Sequence, residues 1–195
     1  MTQAMKTDHP AYRSAIGVAL AAALVLLLPL LAMQITDEVA WDLADFAVAW
    51  TLLVGAGLTY KLVARGMGNI AYRAAVGVAV ATALLLVWVN LAVGVIGNEG
   101  DPANLMYGGV IAVGIIGALL ARFQPRGMAR ALFASALAQA LVAVIALSAG
   151  LGSPVSRPLE ILVANGLFAA LWGGSAWLFW SAARTQPPAG AEPQG

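Results

Sequence analysis

Cysteine is absent and histidine occurs once, as His9. Disulfides, thiol chemistry and cysteine zinc sites are thereby excluded, and one histidine without a supporting cluster makes no metal centre. Charge is scarce as well. Ten Lys and Arg and nine Asp and Glu make up only 10% of the 195 residues, where an ordinary soluble domain carries roughly a quarter. The net charge of +1 leaves no basic footprint for nucleic acid. So few charged side chains cannot cover a chain that is 62% hydrophobic with a mean hydropathy of +0.87, which excludes a water-soluble monomer and with it a soluble enzyme. The Walker loop, the His-Glu-x-x-His pair and the nucleophile elbow are missing too, and no carboxylate pair interrupts the apolar runs. The expectation is a protein that is not an enzyme and carries no cofactor.

What is present is apolar sequence in pieces of membrane-crossing length. A helix needs about 20 apolar residues to cross roughly 30 Å of hydrocarbon. Six such runs lie near residues 15–33, 46–63, 74–96, 105–121, 131–149 and 159–182. They are apolar on every side, whereas outer-membrane strands would alternate. The expected fold is therefore all-α: a polytopic membrane helical bundle, one transmembrane domain over residues 1–184, with a disordered tail over 185–195. The first run follows Lys6 and Arg13, as a signal peptide would, but exceeds the usual secretory core of about 7 to 15 residues and is kept as a helix.

Basic residues sort to one side of these spans. Lys6, Arg13, Lys61, Arg65, Arg73, Arg122, Arg126, Arg130 and Arg184 share it, and only Arg157 lies opposite. The opposite side holds Asp37, Glu38, Asp42, Asp45, Glu99, Asp101 and Glu160. Cytoplasmic loops keep the excess of Lys and Arg, so both termini are expected in the cytoplasm. Tyr12, Tyr60, Tyr72, Phe123 and Trp180 at one end, and Trp41, Trp50 and Tyr107 at the other, read as interfacial anchors. Asp101-Pro102 and Pro158 read as helix starts, where a capping carboxylate or a residue lacking an amide proton suits donors without an intrahelical partner.

The sequence also repeats itself. Residues 12–32 laid on 72–92 give 12 identities in 21, and an offset of 57 pairs Arg65 with Arg122 and Arg73 with Arg130. Three tandem helical hairpins are expected, all of one orientation. Small residues four apart, Ala15-Ala19-Ala23, Ala75-Ala79-Ala83, Ala134-Ala138 and Gly114-Ala118, let backbones approach closely.

Ionisable groups are missing from the centre of every span, and Lys61 reads as an anchor near a helix end. Neutral polar residues are the candidates for a site. Thr82, Gln139 and Ser175 each stand nine residues from an arginine, Arg73, Arg130 and Arg184, which suggests one midplane layer about 13 to 14 Å deep. Asn90 and Asn165 occupy a second, outer level and are expected to pair across the third and sixth spans. Interhelical hydrogen bonding is the favoured reading of both levels, a small polar path the alternative. Pro29, Gly108-Gly109 and Gly173-Gly174 mark places of kinking or close packing, or of local unwinding as in transporters with broken helices. Trp172, Trp177, Phe179 and Trp180 read as a lipid-facing or interfacial belt.

The strings Val87–Gly97, Asp101–Tyr107 and Ile115–Ala129, with Asp37–Trp41 and Asp45-Phe46, resemble a group of small bacterial multi-pass membrane proteins without an assigned activity. The resemblance spans most of residues 34–150 and implies a bacterial cytoplasmic membrane setting and nothing more. The expected role is structural or regulatory, in the lipid bilayer, with a membrane-protein partner or a second copy. The alternative is passage of a small neutral or weakly polar solute.

Overall fold

The computed structural model describes residues 10–36, 40–65 and 68–185, with the side chains of the first helix described from Ala15 onward. Lys6, His9, Asp37, Glu38 and the expected tail beyond Thr185 lie outside the described residues. All described regular structure is helical: α1 (Pro10–Ile35), α2 (Leu43–Ala64), α3 (Ile70–Ala92), α4 (Met106–Leu120), α5 (Pro125–Ser148) and α6 (Pro158–Arg184), with a short 3-10 turn, Pro102–Leu105, leading into α4. The chain divides into two compact units, residues 1–62 and 63–195.

In the first unit α1 runs unbroken through Pro29. The start of α2 is built by its own side chains. Asp42 and Asp45 each accept the other's backbone N–H at 2.9 Å, while Trp41 packs edge-on against Phe46 at 5.3 Å between ring centroids. This is a reciprocal cap with a hydrophobic clasp, which satisfies amide donors at the helix start and fixes the angle of entry. Gly57 of α2 receives Val18 of α1 so closely that a β-carbon there would stand 2.6 Å from Val18 Cγ1.

The second unit is a four-helix core in which α3 packs on α6, α6 on α5 and α5 on α4, while α3 barely meets α4. Sequence-order hairpins are thus connectivity here: α5 and α6 also pack as a pair, whereas α3 and α4 are bridged by the other two helices. The likeness of residues 12–32 to 72–92 does not extend to equal surroundings, because Ala75 is fully buried and Ala15 is exposed. The α4–α5 crossing uses Gly114 and Gly117 against Ser135 and Ala131, where a β-carbon on Gly117 would lie 2.6 Å from that of Ala131. Ala134, expected at such a contact, is exposed instead. The inward stripe of α5 runs through Ala131, Leu132, Ser135 and Gln139, and at 100° per residue Ala134 falls off it.

Both ends of this core are tied by side chains. At the acidic end α3 stops at Ala92, four residues short of the expected 96, because Gly94 and Gly97 turn at φ 72° and 70°. The Asn104 amide holds that turn. Its Oδ1 accepts from Val95 and Ile96 N–H at 3.1 and 3.0 Å, and its Nδ2 donates to the Ile96 and Asn98 carbonyls at 3.0 and 2.7 Å. Ser156 Oγ accepts from Gly97 N–H at 3.0 Å and joins this turn to the one before α6. Asp101 caps the 3-10 turn by accepting from Ala103 N–H at 2.8 Å, with Pro102 following, as its sequence position implied.

At the arginine-rich end α5 starts at Pro125, six residues before the expected 131, so that Arg126 and Arg130 belong to the helix. Arg122 and Phe123 stand in the left-handed region at φ 49° and 58°, which costs a non-glycine residue about 1 kcal/mol or more. Tyr72 Oη donates to the Phe123 carbonyl at 2.8 Å and holds the turn from α3. Asn69 caps α3 by accepting from Tyr72 N–H and donates to Thr185 Oγ1 at 2.7 Å beyond the end of α6.

Candidate functional site

Among the described residues of the second unit the buried polar side chains are Thr82, Ser135, Gln139, Asn165 and Ser175. They do not form one layer. Gln139 Nε2 of α5 donates to Asn165 Oδ1 of α6 at 2.9 Å, which joins the expected midplane to the expected outer pair. Tyr107 of α4 completes the cluster: its hydroxyl donates to Asn165 Oδ1 at 3.2 Å and accepts from Nδ2 at 3.0 Å, while Nδ2 also donates to the Ile161 carbonyl at 2.8 Å. Three helices are thereby cross-linked around one asparagine.

Ser175, ten residues further along α6, stands about 15 Å from this cluster and donates to the Ala75 carbonyl of α3 at 2.8 Å. Thr82 turns its hydroxyl back onto the Val78 carbonyl of its own helix at 2.7 Å. Asn90 does the same, its Nδ2 donating to the Leu86 carbonyl at 2.7 Å, and does not pair with Asn165. The antiparallel register explains the second outcome. Ala75 opposite Ser175 and Tyr72 edge-on to Phe179 at 5.1 Å place Leu86, not Asn90, opposite Asn165. Counting nine residues from each arginine assumes that the arginines share a depth. Arg73 lies inside the first turn of α3, Arg130 inside the second of α5 and Arg184 at the last residue of α6, so they do not.

Other expected assignments are also redistributed. Tyr72 and Tyr107 are core residues at 1% and 2% exposure rather than interfacial anchors, since each hydroxyl has a partner inside the protein. The aromatic belt divides by helical face: Trp177 and Trp180 are 66% and 46% exposed, Trp172 and Phe179 only 3% and 0%. The glycine pairs neither unwind nor pack tightly, because α4 and α6 continue through them and a β-carbon at Gly108, Gly109, Gly173 or Gly174 would meet nothing within 4 Å.

Among the described residues three buried polar atoms have no hydrogen-bond partner: Gln139 Oε1, Asn90 Oδ1 and Trp172 Nε1. The first belongs to the Tyr107–Gln139–Asn165 cluster and is an open acceptor within it. Among the described residues no group of three His, Asp or Glu side chains is placed to hold a metal ion.

Each of the six helices carries an apolar stretch long enough to cross a bilayer, and polar contacts inside the second unit are internal to it. These features define a multi-pass membrane protein. Comparison with protein-family models, with curated proteins and with solved structures finds no match to the chain.

Proposed function

We propose that the protein is a non-catalytic component of the bacterial cytoplasmic membrane, with both termini in the cytoplasm, that acts as a packing partner for another membrane component or for a second copy of itself. The observation that carries this reading is that Tyr107, Gln139 and Asn165 hydrogen-bond one another across three helices. Polar side chains spent on joining α4, α5 and α6 act as interhelical glue. The outward faces of α5 and α6, with Phe133, Leu137, Leu141, Leu162 and Val163 exposed, supply apolar surface for lipid or for a neighbouring helix. The arginine asymmetry supports the side of the membrane, and the resemblance over residues 34–150 supports the bacterial setting. Extraction in mild detergent followed by native mass spectrometry tests the role. A stoichiometric partner or a defined homo-oligomer is expected, and a strictly monomeric, partner-free protein contradicts it.

A second reading, passive passage of a small neutral solute, is favoured by one atom. Gln139 Oε1 is buried without a donor, and a solute hydroxyl or amide would satisfy it. Glycerol flux into proteoliposomes that Gln139→Leu abolishes supports this reading. Flux unchanged by the substitution removes Gln139 from any path.

A further inference from the structure

We propose that the groove between α5 and α6 at the arginine-rich end holds an anionic phospholipid, its phosphate between Arg130 and Arg184 and an acyl chain along the apolar floor below them. The groove has a volume of about 510 Å³, and its walls include Phe133, Gly173, Trp177 and Trp180 as well as the two arginines. It is a gap between packed helices that Gly173, with open space where a side chain would be, helps to keep clear.

Helix direction leans the two cations toward one another along the groove. The Cα–Cβ bond tilts toward the N-terminus of its own helix. The N-terminus of α5 lies at the arginine-rich end and that of α6 at the acidic end, so Arg130 leans outward and Arg184 leans inward, each toward the other. Arg184 does so visibly, its guanidinium 5.8 Å from the ring centroid of Trp180 one turn earlier. Such a stack holds the cation over the groove while leaving its donors available.

The charge around the groove has one sign. Among the described residues of this unit Arg65, Arg73, Arg122, Arg126, Arg130 and Arg184 gather at this end, whereas Glu99, Asp101 and Glu160 belong to the opposite one. The single ion pair between described residues is Arg157–Glu160 at 3.9 Å, also at the opposite end. Two cations at the lip of an apolar slot, beside exposed tryptophans of the kind that sit at headgroup level, complement a phosphate that carries a hydrocarbon tail. A protein helix seated there would bring no phosphate to the two arginines.

The test uses the full chain in vesicles of phosphatidylglycerol or phosphatidylcholine, with brominated lipid quenching tryptophan fluorescence. The expected result is a preference for phosphatidylglycerol of about 5-fold for each arginine engaged. Arg130→Gln with Arg184→Gln removes the preference, and Gly173→Leu, which fills the slot, weakens quenching by both lipids. Arg126→Gln, at the same end but outside the groove wall, keeps the preference. Raising salt from about 0.1 M to about 1 M on the unaltered protein shrinks it by screening, a readout that does not depend on any variant folding. Equal quenching by the two lipids, an equal loss in Arg126→Gln, or indifference to salt overturns the proposal. So does loss of quenching by either lipid as protein concentration rises, which marks a second copy in the groove. The inference needs only the membrane setting, so its failure leaves the proposed packing role standing.

Discussion

Asn165 joins three helices of the second unit through one side chain. It accepts from Gln139 and from Tyr107 and donates to Tyr107 and to Ile161, so replacing it with leucine leaves buried polar groups on two other helices without partners. Asn165→Leu is expected to cost about 2 kcal/mol, the range for orphaned buried donors and acceptors, measured by reversible denaturation in detergent. Thr82→Val is expected to cost well under about 1 kcal/mol, since the Thr82 hydroxyl only returns to its own helix. A double-mutant cycle of Gln139→Leu with Asn165→Leu is expected to give a coupling of about 0.6 kcal/mol and no more than about 2. A large loss in Thr82→Val, or no coupling in the cycle, would contradict the network as described.

At the scale of elements, the distribution of glycines separates contact from mere presence. Gly117 is pressed against Ala131, and Gly109 faces open space. Gly117→Val should force α4 away from α5 and destabilise the protein by about 1–3 kcal/mol, whereas Gly109→Ala should be neutral or slightly stabilising because alanine is the better helix former. The same thermal unfolding measurement in detergent reads both, and a reversal of the order would mean that the α4–α5 crossing is misplaced. Sequence could supply the six helices because length and hydropathy alone decide what crosses a bilayer. It could also supply the caps, Asp101-Pro102 and Pro158, since capping is local chemistry. The Trp41-Asp42-Leu43-Ala44-Asp45-Phe46 clasp was missed, although an acid three residues after an acid, between two aromatics, is a local signal for it. Helix register was not legible. Which of Thr82, Asn90, Gln139, Asn165 and Ser175 meet depends on how far α5 and α6 slide past their neighbours, and every span is apolar all round, so periodicity marks no inner face. Tyr107 was read as an anchor for the same reason.

At the scale of the whole molecule, the energetic premise is that each span is more stable in lipid than in water and that the arginine asymmetry sets the direction of threading. The absence of cysteine makes this directly accessible, because a single introduced thiol is the only one to react. Gln124, Glu99 and Val155 are exposed residues outside the helices, the first at the arginine-rich end and the other two at the acidic end. The deciding measurement is labelling of Gln124→Cys, Glu99→Cys and Val155→Cys in intact bacterial cells with a membrane-impermeant maleimide. Glu99→Cys and Val155→Cys are expected to label at once, and Gln124→Cys only after the membrane is opened. Immediate labelling of Gln124→Cys with protection of the other two, or immediate labelling of all three, would contradict the account.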